Sequence, residues 1–228
     1  MPKHTRAFGG PRTTKRKSGT RSARDRYLIV SGGKATEHEY LTYVRKQLGA
    51  SGVKIVVSST GLSPAGLYEY AIGLRDADRR DAKKNSDPTN VYKKVWIVTD
   101  VDDFAAEIQL LLSTQKTTGV DWTISNPCFE VFLVMHSQPC EKHLTSPQVQ
   151  RMAKKLKLVT GTNDKNVVLD KIAGRFEDAE ACAERMLLRH EDHGKYFPND
   201  NPSTTMHQLI RTLIRSAEAS QPGFSHLL

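Results

Sequence analysis

The sequence predicts an α/β fold: a mostly parallel sheet flanked by helices, followed by a helical C-terminal extension and preceded by a disordered basic tail. Three observations lead there. Apolar strand-like runs alternate with amphipathic helical patterns from Tyr27 to His136, the order that yields parallel strands joined by crossover helices. The clearest run, Val95-Trp96-Ile97-Val98, is continuously apolar, as a strand covered on both faces must be. Beyond His136 helical periodicity dominates.

Residues 1–25 are rich in Lys, Arg, Ser, Thr and Gly and carry no apolar period, so they are expected to be disordered. Order begins at the short run Tyr27-Leu28-Ile29-Val30, a buried strand that Ser31-Gly32-Gly33 breaks. Thr36 and Glu39 have the spacing of a capping box, and Tyr40, Leu41, Val44 and Leu48 form the stripe of the helix behind it. Val53 to Val57 suits a second strand. Ser63-Pro64 suits the N-cap and first position of a second helix, with the polar stretch from Arg79 to Asn90 expected as loop. After Val95–Val98 come a helix bearing Ile108, Leu111 and Leu112, and a short strand at Trp122-Thr123-Ile124. Asn126-Pro127 has the form of another helix start. Further helices are expected around 147–158, 177–190 and 203–217, with one strand at Asn166-Val167-Val168-Leu169. The expected division is a tail over 1–25, an α/β core over 26–137 and a mainly helical extension over 138–228.

The formal net charge is +9, and its location matters more than its size. Residues 1–26 hold nine Lys or Arg against the single acid Asp25, so the body that follows is nearly neutral. Such a tail, with Lys15, Arg16, Lys17 and Arg21 at its centre, can hold phosphates in a salt-dependent way, or be a solvated arm. Three cysteines, an odd number with no CxxC pair, argue against a disulfide framework or structural zinc and suit a reducing cytoplasm. No window approaches the roughly 20 apolar residues of a membrane span, and no apolar segment follows the basic N-terminus as in a secretory signal.

The chemistry-bearing residues begin where Val95–Val98 ends. Asp100, Asp102 and Asp103 follow it directly, and sites in open α/β sheets form at the carboxyl ends of strands. Asp100 and Asp102 are two apart and point the same way in extended backbone. Their convergence calls for a hard cation such as Mg²⁺ (or Mn²⁺), unless the acids only cap the next helix, as Asp103 is placed to do. Glu130 is the single charge in Pro127-Cys128-Phe129-Glu130-Val131-Phe132-Leu133-Val134-Met135. A carboxylate in so apolar a helix needs a partner or a metal. Glu37 stands at a helix start behind Gly32-Gly33-Lys34, where a phosphate can approach. This is not a P-loop, because Leu28 and Ala35 occupy positions where that motif needs Gly and Ser or Thr. His190 and His193 are at most half a metal site, and His136 suits a core or helix-end histidine.

In order, Leu28-Ile29-Val30, Gly32-Gly33-Lys34, Thr36-Glu37, Tyr40, Asp100-Val101-Asp102-Asp103-Phe104, Ser125 to Glu130 through Leu133 to His136, and Asn201-Pro202-Ser203-Thr204-Thr205 before a Leu-bearing helix resemble the motifs of the RloB family. The likeness covers about 27–215. It implies a Toprim-like core, a metal pair at Asp100 and Asp102, and a nuclease associated with an ATPase partner in bacterial anti-phage or restriction-linked loci. The family typically has Glu-Gly after the first strand, the Glu being the general acid/base. Ser31 stands there in this chain and cannot ionise near neutral pH. The resemblance then implies that Glu37 or Glu130 takes over, with Lys34 and the tail on nucleic acid, or that the chain is a sensor or regulatory subunit without catalysis. DNA, RNA and transfer RNA stay open as substrates, and so does a homo-oligomer.

Overall fold

The computed structural model describes residues 25–49, 54–87, 89–113 and 119–228; the tail residues Lys15, Arg16, Lys17 and Arg21 lie outside them. Arg26–Ser31 (β1), Lys54–Ser59 (β2), Tyr92–Asp100 (β3), Asp121–Asn126 (β4) and Ser203–Thr204 (β7) form one sheet in the order β2-β1-β3-β4-β7. The first four are mutually parallel and β7 runs antiparallel to β4. Val159–Thr160 (β5) and Asn166–Val167 (β6) make a separate antiparallel pair. Seven α-helices are present among the described residues: Thr36–Leu48 (α1), Pro64–Lys84 (α2), Ala105–Leu112 (α3), Glu130–Met135 (α4), Ser146–Lys155 (α5), Phe176–Asp192 (α6) and Met206–Ser220 (α7). The mixed α/β class and the mostly parallel sheet are those expected from the sequence.

The two faces of the sheet are covered unequally. Leu28, Val30, Val95 and Ile97 meet Leu67 and Ala71 of α2 in a small core. Their strand neighbours Tyr27, Ile29, Trp96 and Val98 turn the other way, as strand alternation requires, into a large core built from α1, α4, α5, α6 and α7. That core draws on both halves of the chain, so Leu213 and Ile214 are as deeply enclosed as Leu41.

Four local expectations are corrected. Thr36 and Glu39 do not cap α1: the N-cap is Ala35, with no side-chain hydrogen bond. Thr36 Oγ1 donates to the Lys165 carbonyl at 3.2 Å, and Glu39 Oε2 accepts from Val167 N–H at 2.6 Å. Both side chains bind the β5–β6 hairpin, a long-range use that a local spacing rule does not register. Asn126-Pro127 does not start α4. Asn126 is the last residue of β4, and its amide donates to Asp200 at 2.8 Å and to the Pro198 carbonyl at 3.1 Å. The polar stretch from Arg79 continues α2 as far as Lys84, because Ala82 supplies the buried turn while charges face water. The strand expected over 166–169 keeps only Asn166–Val167, since Leu169–Lys171 is a 3₁₀ turn.

One element was not anticipated. Ser203–Thr204, at the start of a segment expected to be helical, instead pairs with β4, with Ser125 and Thr204 hydroxyls 3.0 Å apart and Thr205 Oγ1 accepting from Ile124 N–H at 3.0 Å. Asn201 anchors its approach by exchanging two hydrogen bonds with the backbone of Leu144.

Candidate active site at the sheet switch point

The chain leaves β1 toward β2 on one side and returns to β3 on the other. This reversal opens a crevice at the carboxyl ends of β1 and β3, where ligands of open α/β sheets bind. Ser31 pairs with Val98, so β3 reaches two residues past β1 and presents Asp100 at the rim. Asp100 is partly exposed as a residue, yet its Oδ1 is enclosed and has no hydrogen-bond partner. A buried unpaired carboxylate oxygen is costly.

Three further acids surround it. Burial pushes the Asp100 carboxyl well above the usual carboxylate range, and the negative charges of Glu37, Glu130 and Asp102 push it further, while a backbone hydrogen bond from Phe129 works the other way. Burial likewise raises Glu37, assisted by Glu130 and Asp102 and opposed by its own N–H and by Lys165. Two independent expectations from the sequence, the aspartate pair and the solitary Glu130, thus act on one another although Glu130 stands 30 positions after Asp100.

Aromatic packing holds two of these acids in place. Tyr40, one turn beyond Glu37 on α1, meets Phe129 and Phe132 edge-on with ring centroids 5.6 Å apart in both cases. That wedge fixes α1 against α4, and hence Glu37 relative to Glu130. Every residue of α4 is buried, Glu130 included. Glu37 itself folds back over the turn after β1: a Cβ on Gly33 would lie 1.8 Å from its Oε2. A side chain at 33 would therefore displace the Glu37 carboxylate from this position, and glycine leaves room for it. Ser31, at the end of β1, is fully buried and donates to the Gly33 carbonyl at 3.2 Å.

The remaining site candidates divide. Asp102 sits on the turn after β3 with φ of 33° and accepts from Ser146 Oγ, at the start of α5, at 2.5 Å. Asp103 is exposed beside it and caps nothing, because α3 begins after Phe104. Lys34 lies along the Gly61 turn, where a Cβ would meet its Cε at 2.2 Å, on the same edge of the sheet. His190 and His193 do not form half a metal site: their ring nitrogens bond the carbonyls of Pro202 and Arg189. His136 bonds the Phe132 carbonyl at 2.9 Å and faces Tyr40 Oη at 3.4 Å, and burial lowers it to about 4, so it is a neutral core histidine. The Cys128 thiol is raised by burial and then by Glu130 and Asp100, which leaves it unreactive.

Two residues at the site were not foreseen. Lys165, on the β5–β6 hairpin, places Nζ 3.7 Å from Glu130 Oε1, and Ser146 reaches Asp102 from α5. Neither stands in a recognisable motif; only the tertiary fold brings them in.

A family model described as RloB-like protein matches residues 27–213. The chain belongs to the RloB-like family. The match takes in every site residue just described and both halves of the main core, so the RloB-like unit includes the C-terminal helices as well as the strands. No curated protein and no solved structure matches the chain. Among the described residues of this RloB-like chain, no helix is long and apolar enough to cross a membrane.

The donor set can be tested against a divalent ion. Its members are hard carboxylate oxygens, and Asp100 Oδ1 is enclosed and unpartnered. Among the described residues, however, no group of three or more His, Cys, Asp or Glu side chains is placed to hold a metal ion. Hard oxygens of this kind suit Mg²⁺ better than a thiolate-bound zinc, while the lack of a three-ligand group supports neither ion.

Proposed function

We propose that this protein is a divalent-metal-dependent nuclease acting on nucleic-acid phosphodiesters in bacterial anti-phage defence. The observation that supports this most is the enclosed, unpartnered Asp100 Oδ1 ringed by Glu37, Asp102 and Glu130 at the switch point of an α/β sheet. Asp100 and Asp102 would hold Mg²⁺ (or Mn²⁺), with Asp103 at the outer edge. An ion bound there would offset negative charge as it develops on phosphodiester oxygens.

The chain's own groups have separate tasks. Glu37 serves as the general acid/base: its carboxyl is raised toward neutrality and lies over the turn where the family's glutamate would emerge. Glu130 fixes the charge balance of the floor, since Lys165, its ion-pair partner among the described residues, is beyond hydrogen-bond reach at 3.7 Å. Ser31 is too enclosed to be the site of chemistry. A glutamate introduced there would need both space and an ionic partner, so Ser31→Glu is expected to cost about 2–4 kcal/mol of stability without raising the rate. Denaturant unfolding and initial rates read the two effects.

The decisive experiment incubates the full chain with single- and double-stranded DNA and RNA in Mg²⁺, Mn²⁺ or EDTA, beside Asp100→Asn. The reading requires divalent-dependent cleavage that Asp100→Asn abolishes and weaker Mn²⁺ binding by the variant in calorimetry. Cleavage that persists in Asp100→Asn overturns the assignment. A second reading draws on Lys165 and the lack of a three-ligand group among the described residues: a regulatory subunit, working with an ATPase, that binds nucleic acid without cutting it. Its signature is nucleic-acid binding with no cleavage in any divalent ion, whether the partner is present or absent.

A further inference from the structure

Beside Glu130 the surface opens into a groove of about 310 Å³ between α5 and the β5–β6 hairpin. Pro147, Gln150, Arg151 and Lys154 recur at helical spacing along one wall, while Asn163 and Lys165 stand on the other. The buried face of the same helix, Val149 and Ala153, is anchored in the main core, so the wall is rigid. The helix starts at the acid cluster, where Ser146 holds Asp102, and runs outward from it. With a rise of about 1.5 Å per residue, the Arg151 and Lys154 positions stand about 7.5 and 12 Å along the axis from Ser146. An acidic floor therefore continues into a lane of cations.

Those cations are only loosely committed. Arg151 has no ion-pair partner among the described residues. Lys154 pairs with Asp164 at 2.8 Å, but the lysine is exposed and the aspartate only half-buried, so water competes for the pair. Lys165 faces Glu130 from 3.7 Å. Three cations thus line the groove against the carboxylates of Glu130 and Asp164. Planar guanidinium and a mobile ammonium, flanked by the side-chain amides of Gln150 and Asn163, are the donors that bind phosphate oxygens. The small volume admits one strand, since a duplex presents grooves roughly 6–12 Å wide and a far larger cross-section.

We propose that this groove is the phosphate subsite for a single nucleic-acid strand, gripping the backbone beside the phosphodiester presented to the acid cluster. It rests on the nuclease reading for its purpose but not for its detection, because binding can be read without chemistry. Arg151 and Lys154 hold successive phosphates. Lys165 sits at the junction, where it exchanges Glu130 for the strand as the strand enters.

The test measures binding of the full chain to a labelled single-stranded oligonucleotide and to its duplex, in EDTA, over a range of salt. Arg151→Ala with Lys154→Ala is expected to weaken single-strand binding at least about tenfold and to flatten the log K against log salt slope by about 0.7 for each cation lost. Both side chains are exposed, so the melting temperature should not move. Arg151→Glu alone should weaken binding further still. The control, Lys83→Ala with Lys84→Ala at the far end of α2, should leave the single-strand slope in place. An unchanged slope in the groove variant overturns the proposal, even if the protein cleaves. Equal losses on strand and duplex overturn the single-strand assignment. A flattened slope in a protein that never cleaves keeps the groove and discards the nuclease reading.

Discussion

Two carboxylate clusters in this molecule are built on opposite principles. On α6, Glu177 and Glu180 receive Arg211 of α7: its Nε donates to Glu180 at 2.7 Å, a second nitrogen reaches both acids, and the guanidinium lies 5.0 Å above the Phe176 ring. The hydrogen bonds that Arg211 donates, to Glu180 first and then to Glu177, raise the arginine, and each acid has a cationic partner within reach. At the switch point, Glu37, Asp100, Asp102 and Glu130 share a crevice with one lysine at 3.7 Å, and an Asp100 oxygen has no partner at all. Where acids serve only to join helices, the chain supplies a guanidinium within reach. Where it withholds one, the carboxylates cost stability, and it is on that cost that the proposed ligand role of the crevice rests.

That contrast can be broken most severely through Glu37. If it is the acid/base, Glu37→Gln keeps shape and removes only the ionisable oxygen, and metal-dependent cleavage should fall by about 10²–10⁴-fold in initial-rate measurements. A rate within a few-fold of the parent would return Glu37 to a structural role.

A buried titratable group of another kind sharpens the comparison. His136 is enclosed with no acid in hydrogen-bond contact among the described residues, and burial holds it at about 4 against an ordinary value of 6.5. Its folded value is depressed, so the neutral ring supports the fold above pH 6.5, and that support is lost as pH falls toward 4. The unfolded chain binds the proton first, so stability should decline by about 3 kcal/mol across this window. Urea titrations at a series of pH values should record the decline, and His136→Phe should flatten it.

The matched cluster makes the next prediction. Arg211→Ala leaves Glu180, largely buried, without its partner and uncovers Phe176, which should cost about 2 kcal/mol in denaturant unfolding. Glu177 is exposed and should contribute little to that loss.

The smallest effect has the opposite sign. The Asp100 carboxyl is raised, so its favourable contribution exists below its ordinary value of 3.8 and is lost as pH rises through the folded value. At neutral pH in EDTA, Asp100→Asn should therefore stabilise the protein, by about 1 kcal/mol or roughly 2–4 °C in Tm. An equal loss of stability would mean that Asp100 is as well matched as Glu180.

These clusters also show what could be seen in the sequence. Asp100 and Asp102 were visible because an apolar strand ran straight into them, and Glu130 because it was the one charge in an apolar helix. The parallel sheet followed from the same alternation. Thr36 and Glu39 were misassigned because a capping box and a hairpin anchor share one local spacing, and only the partner, about 130 residues away, distinguishes them. Lys165, Ser146 and the Arg151–Lys154 wall had no local signal, since an exposed lysine on a hairpin or helix looks the same beside an active site as anywhere else. The two-residue β7 was too short to show a period, and its identity lies in what it meets.

That short strand has a consequence for how the molecule comes into being. Until Ser203–Thr204 arrives, β4 is the last strand of the sheet and its outer backbone groups have no strand to pair with. Thr204 follows Ser125 by 79 residues, so a ribosome adding about 5–20 residues per second leaves that edge open for about 4–16 s. An open apolar edge recruits other strands. Chains that terminate before Ser203 should accumulate as aggregates, while chains completed through α7 should not, even though all four parallel strands are present in both.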